Sequence, residues 1–366
     1  MRLRLGVAAL LGALSLTLAP ASASAVPRDF YGVVPVNDLT AAGIDRMGQA
    51  KVGVMRLTTL WRTIEPNPGE YDFSSLDPVV GQAARNGIRV LPVPYGTPGW
   101  VEKDCTGLSD SQCERVPPLA TQNARDQWQQ FLRVLAGRYG PGGTFWQENP
   151  GIPPVPVTEW QIWNEPSSPT YWQPSPNAGK YAELVKLSHA AISSVHPGAR
   201  IVLAGLFGTP QGDAASQNVA WRYLGRVYKQ KGIEKAFDAI ALHPYSPNLE
   251  GIEFQVEKAL QKIEKNSDSG TEILITEIGW GSDPPPGDKP LIKGPEGQAK
   301  LLQKSFRLLR SHRNKWNIGG VVWYAWQDPG FLLEGCSFCS SAGLFEEDGA
   351  AKPSWQSFVR FTGGTP

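Results

Sequence analysis

The chain has 366 residues, of which 41% are hydrophobic and 19% charged, with a formal net charge of +1. It is long enough to bury a sizeable core, and its balance of charge gives no electrostatic case for nucleic acid or an anionic membrane as partner. Arg2 and Arg4 precede an apolar stretch from Leu5 to Leu18 and the small residues Ala23-Ser24-Ala25, the pattern of a cleaved export signal over residues 1–25. The stretch is shorter than the roughly 20 apolar residues a spanning helix needs. The expectation is therefore a secreted chain, Val26 to Pro366, with no membrane segment after cleavage and a formal charge of −1 once the two arginines are lost.

Beyond the signal, apolar strand-like runs alternate with helical stretches. Phe30 to Val34 reads as strand and Leu39 to Gln49 as helix, then Gly53 to Leu57 as strand and Ser74 to Asn86 as helix. Ile88 to Val93 is a third apolar strand. Thr121 to Tyr139 is the clearest helix, because Ala124, Trp128, Phe131, Leu132, Leu135 and Tyr139 recur at three and four and paint one face. The pattern continues with strands at Val157 to Trp163, Ile201 to Ala204, Phe237 to Leu242, Glu272 to Thr276 and Ile318 to Trp323. Helices fall at Lys180 to Val195, Trp221 to Tyr228, Ile252 to Lys265, Glu296 to His312 and Trp355 to Phe361. Eight β/α units with apolar strands imply an α/β fold, a single (β/α)8 TIM barrel over residues 26–366. A doubly wound open sheet is the alternative, but no Gly-x-Gly-x-x-Gly turn follows the first strand.

In such a barrel, chemistry gathers at the C-terminal mouths of the strands. Two glutamates end apolar runs there: Glu165 in Trp163-Asn164-Glu165-Pro166, and Glu277 in Ile275-Thr276-Glu277-Ile278-Gly279-Trp280. Arg56, Tyr95, Trp100, Asn164, His243, Tyr245, Trp280, Tyr324 and Trp326 fall at the same pole. One buried barrel charge is commonly only an ion-pair member. The convergence of many polar and aromatic groups argues for a site, and two facing carboxylates are the minimum apparatus for hydrolysing a glycosidic bond. A general acid there needs an apolar or anionic neighbourhood to hold its proton, which Trp160 and Trp163 offer, whereas a nucleophile must stay ionised, which Arg56 and the Tyr245 hydroxyl would favour.

These motifs resemble glycoside hydrolase clan A. Asn-Glu-Pro after strand four and Thr-Glu-x-Gly-Trp at strand seven are similar to its acid/base and nucleophile signatures. Trp61, Ile64-Glu65-Pro66, Gly69, Tyr71-Asp72-Phe73 and Leu76-Asp77 resemble the segment after strand two in families 39, 42 and 5. Asp238 to Tyr245, and Gly343-Leu344-Phe345 through Lys352-Pro353, are most similar to family 39-like bacterial members. The resemblance implies a retaining glycosidase with Glu165 as acid/base and Glu277 as nucleophile. It also implies sugar contacts from Asn164, Arg56, His243, Tyr245 and Trp326. It covers almost the whole chain after the signal, without the extra β-sandwich domain that several family 39 xylosidases carry.

Most of the thirteen tryptophans are expected to fill the core. Trp326 is expected as a stacking platform for the cleaved sugar, with Trp100, Trp280 and Tyr324 behind it. His243 reads as an orienting partner rather than a metal ligand, and the carboxylate motifs need neither metal nor cofactor. Cys105, Cys113, Cys336 and Cys339 fall in loops at the mouth, and in an exported chain an even count favours disulfides. Local pairs, Cys105 with Cys113 and Cys336 with Cys339, are preferred to bridges across the mouth, which stay open. The expected partner is a poly- or oligosaccharide bound by a monomer. A transglycosylase using the same residues and a non-catalytic carbohydrate-binding barrel are the alternatives.

Overall fold

The computed structural model describes residues 26–37, 39–208, 218–283, 289–331 and 336–366. The export signal expected at 1–25 lies outside them. Eight parallel strands form one sheet: β1 (Tyr31–Val34), β2 (Val54–Leu60), β3 (Arg89–Tyr95), β4 (Glu159–Ile162), β5 (Arg200–Phe207), β6 (Ala239–His243), β7 (Glu272–Ile278) and β8 (Ile318–Tyr324). Their order is β3-β2-β1-β8-β7-β6-β5-β4, which is chain order wrapped around a barrel. The seam lies between β3 and β4, where the Trp163 N–H donates to Pro94 O at 3.2 Å. Pro92 and Pro94 share that edge of β3 and have no N–H to offer, so sequence itself thins the ladder there.

A helix follows each strand: α1 (Ala41–Gln49), α2 (Asp77–Arg85), α3 (Gln122–Tyr139), α4 (Ala178–Val195), α5 (Ala220–Val227), α6 (Leu249–Lys265), α7 (Gly294–Ser311) and α8 (Pro353–Thr362). Side chains of Thr40, Thr121, Asn177 and Asn248 cap four of them by accepting backbone N–H bonds. The six apolar positions that the sequence places on one face of α3 are all buried. Strands β2, β3, β5 and β7 run two or three residues past their expected ends. In β2 and β7 the polar residues Thr58, Thr59 and Glu277 interrupt the apolar run that marks the strand.

Charge at the opposite pole is consumed structurally. Glu159 receives Arg89 and Arg200, each at 2.5 Å, and Arg200 also reaches Glu272 at 2.8 Å, while Arg89 pairs with Asp29. Above this floor the lumen is packed by Leu91, Val202, Ala239, Ala241 and Leu274. The layer over that plug holds Arg56, Asn164, Glu165, His243 and Glu277. Disulfides join Cys105 to Cys113 and Cys336 to Cys339, the local pairs expected.

Candidate active site

Arg56 points inward from β2, only 3% exposed, and all its edges are used. Its Nη1 donates to Glu277 Oε1 at 2.6 Å, Nη2 to Asn164 Oδ1 at 2.6 Å and Nε to Gln161 Oε1 at 3.1 Å. The planar fork thereby locks the ends of β2, β4 and β7 into one plane of hydrogen bonds. Gln161 went unrecognised in the sequence. Its only signal was an uncharged polar residue in the middle of an apolar strand.

Just past β4 the backbone turns sharply. Trp163 and Glu165 take positive φ values of 70° and 40°, on either side of Asn164. A left-handed conformation costs a bulky residue on the order of 1–3 kcal/mol and gathers at functional sites. Here it presents Asn164 to Arg56 and Glu165 to His243. In β7 the register against β8 runs Ile275↔Val321 and then Ile278↔Trp323, so β7 holds one extra residue. That bulge lets the consecutive residues Thr276 and Glu277 both reach the site, where a regular strand would send them to opposite faces.

His243 closes the constellation from the end of β6. Its Nδ1 lies 2.7 Å from Glu165 Oε1 and 3.5 Å from Glu277 Oε2, and its Nε2 lies 3.0 Å from Thr276 Oγ1. The imidazole is completely buried. It fits because β5 carries glycine beneath it: a Cβ at Gly205 would stand 1.9 Å from His243 Nε2. Tyr245 donates its hydroxyl to Glu277 Oε2 at 2.8 Å. One carboxyl oxygen of Glu165, one of Glu277 and a ring nitrogen of His243 all lie within 4.8 Å of one another.

Electrostatics distinguishes the two carboxyls. Burial, then the charge of Glu277, pushes Glu165 well above the usual carboxylate range, opposed only by Arg56. Glu277 is also raised by burial, but the Arg56 charge and hydrogen bonds from Tyr245 and Arg56 hold it back. A proton shared by the pair therefore rests on Glu165. Burial and Arg56 drive His243 well below its ordinary value, so it is a neutral imidazole with one N–H. Thr276 offers both a donor and an acceptor to Nε2, so either tautomer is satisfied. Glu165 can then lose and regain its proton while keeping its bond to His243. Burial and Glu277 raise Tyr245 well above a normal phenol, which keeps its O–H available.

The expected sugar contacts are only partly assembled here. Arg56, Asn164, His243 and Tyr245 converge on the glutamates, but two tryptophans do not. Trp280 is fully buried, donates its Nε1–H to Ser246 O at 2.7 Å and packs on Trp323. Trp326 is 5% exposed and wedged against Phe345 and Trp355, with its indole nitrogen toward Gly43 on α1. Both serve the core, so the expectation that either offers a face to sugar is corrected. Tyr324 at the end of β8 is the aromatic residue beside the glutamates: its phenol feels both of them and Arg56, and its ring meets Tyr245 edge-on at 6.4 Å. Trp100, half-buried, donates to Glu65 O at 3.0 Å. A cation placed among Glu165, His243 and Glu277 would face the Arg56 guanidinium, already the counter-ion of Glu277.

A sequence-family model described as beta-galactosidase, of glycoside hydrolase family 42, matches residues 35–110. No curated protein sequence matches the chain. Among solved structures, a family 39 glycoside hydrolase from the gut symbiont Bacteroides cellulosilyticus WH2 superposes with a TM-score of 0.63 at 20% identity, covering 92% of this chain and 64% of that one. An exo-beta-1,4-mannosidase from Opitutaceae bacterium strain TAV5 gives 0.62 at 15% identity over 91% of this chain and 59% of that one. An intracellular xylanase from Thermoanaerobacterium saccharolyticum JW/SL-YS485 gives 0.58 at 16% identity over 90% and 94%. The chain thus spans less than two thirds of the length of the first two. It is a clan A-like (β/α)8 barrel, related in fold to glycosidases of families 39 and 5.

Proposed function

We propose that the protein is a retaining glycoside hydrolase that cleaves O-glycosidic bonds of a β-linked or equivalently configured poly- or oligosaccharide. The observation that carries this reading is the asymmetric carboxylate pair, with Glu277 clamped by Arg56 and Tyr245 and the Glu165 carboxyl bonded, among the described residues, only to a neutral His243. Glu277 attacks the anomeric carbon while Glu165 protonates the departing oxygen, and Glu165 then deprotonates the water that releases the sugar. Retaining pairs stand about 5–5.5 Å apart and inverting pairs about 6.5–9.5 Å; the approach of one Glu165 oxygen to one Glu277 oxygen within 4.8 Å supports the former. The two disulfides, together with the leader pattern at residues 1–25, support export. N-terminal sequencing of protein from the culture medium should begin at Val26.

The chemistry is tested with azide. Glu277→Ala should convert an activated aryl glycoside into a glycosyl azide of inverted configuration, and Glu165→Ala should give the retained azide. NMR of the first product released by the unmodified protein should show net retention. Net inversion, or the opposite azide anomers in the two variants, would refute the assignment.

A further inference from the structure

Arg115 lies in the loop after β3, two residues beyond the Cys105–Cys113 disulfide, and is half-buried. Its guanidinium carbon stands 5.6 Å from the centre of the Tyr171 ring. No carboxylate pairs with it among the described residues. Its neighbour Glu114 is taken by Arg62 at 2.9 Å. The backbone holds the arginine in place, because Arg115 O accepts the Gln173 N–H at 3.0 Å and Arg115 N donates to Gln112 O at 2.9 Å. Tyr171 is equally fixed: its carbonyl accepts the Trp163 indole N–H at 2.7 Å, and its ring meets Tyr95 edge-on at 6.3 Å. Of the neighbouring charges, Glu165 acts most strongly on the Tyr171 phenol and Arg115 on the Tyr95 phenol. Arg115 is thus a preorganised cation without a counter-ion among the described residues, on the Glu165 side of the mouth.

Which part of a substrate lies there follows from the chemistry. The group that protonates the leaving oxygen must face the leaving portion, so residues outward from Glu165 face the leaving-group sugars. A half-desolvated guanidinium presents a fork that matches a carboxylate in two parallel hydrogen bonds. Its neighbour Tyr171 supplies an aromatic face that steadies the cation. We propose that the leaving-group side of the site binds an acidic sugar, a uronic acid, whose carboxylate pairs with Arg115. This deepens the glycosidase reading and rests on it.

The test uses the leaving-group side in reverse. In a retaining enzyme, a sugar bound there competes with water for the glycosyl-enzyme. The full-length protein is given whichever aryl glycoside it cleaves, with methyl β-D-glucuronide or methyl β-D-glucoside as acceptor. Transfer to the glucuronide should exceed transfer to the glucoside by about tenfold, and the preference should weaken as salt is added. Arg115→Gln should bring the ratio towards one, and Arg115→Lys should restore part of it. A ratio near one, transfer to neither acceptor, or a preference untouched by Arg115→Gln would overturn the proposal while leaving the glycosidase reading intact. If no aryl glycoside is cleaved, that reading fails instead. An NMR titration of methyl β-D-glucuronide against the protein and Arg115→Gln then decides the carboxylate site separately, with equal binding by both proteins overturning it.

Discussion

Replacing Tyr245 by phenylalanine removes one oxygen and little else. The lost bond runs from a phenol to Glu277 Oε2 at 2.8 Å, in a site where both partners are buried. Hydrogen bonds to a charged group contribute about 1.5–3 kcal/mol, roughly a ten- to hundred-fold change in an equilibrium constant. The bond stabilises the ionised carboxylate, so its loss favours the protonated form and Glu277 titrates at higher pH. In kcat/KM against pH, the acidic limb reports this ionisation in the free enzyme and should move upward. At a fixed pH on the original limb, the ionised fraction of Glu277 should fall by that ten- to hundred-fold factor, and much of the loss should be recovered by raising the pH. A Tyr245→Phe enzyme whose profile keeps its shape and only drops in height would refute the reasoning, because Tyr245 would then bind sugar without tuning Glu277.

Arg56→Ala removes the cation itself and leaves Asn164 and Gln161 without their donor, so the acidic limb should move up while activity falls severely. Removing one member of a buried ion pair costs about 3–5 kcal/mol, which urea unfolding at neutral pH would register; an unchanged profile and stability would make Arg56 dispensable. Gly205→Ala touches neither carboxylate, yet its methyl group would occupy the space of the His243 ring. Turnover should drop by more than about tenfold, as expected when a general acid loses its positioning partner, and a crystal structure of the variant should show the imidazole displaced. Reducing the two disulfides opens rings with sequence separations of 8 and 3 residues. Loop entropy puts the cost at about 2.5 kcal/mol for the larger ring and about 1.5–2 kcal/mol for the smaller, seen as a lower unfolding midpoint, and thiol titration of the unreduced protein should find no free cysteine.

The barrel was legible because each strand is a short apolar run and each helix carries a stripe, and these periods survive whatever the loops do. Glu165 and Glu277 were legible because a charge at the end of an apolar run stands out. Gln161 and Thr276 were not, since an uncharged polar residue in a strand leaves no mark unless its partner is known, and their partners lie 105 and 33 residues away. The tryptophans failed for another reason. Position on a strand end does not say which way an indole turns, and Trp326 turns toward α8, where Phe345 and Trp355 already form an aromatic pocket. The positive φ angles at Trp163 and Glu165 were equally hidden, because nothing in those residue types favours them.

The surplus residue in β7 bears on how this chain can be altered. Deleting one position between Ile275 and Ile278 would restore stepwise pairing with β8 over that stretch, while the opposite shift between Ile273 and Leu274 would remain. It would also turn either Thr276 or Glu277 toward the outer helices. Sequence designed onto an idealised eightfold template will never acquire the insertion. Anyone transplanting this constellation to another barrel must carry the irregular strand across with it, since the side chains by themselves do not encode where they point.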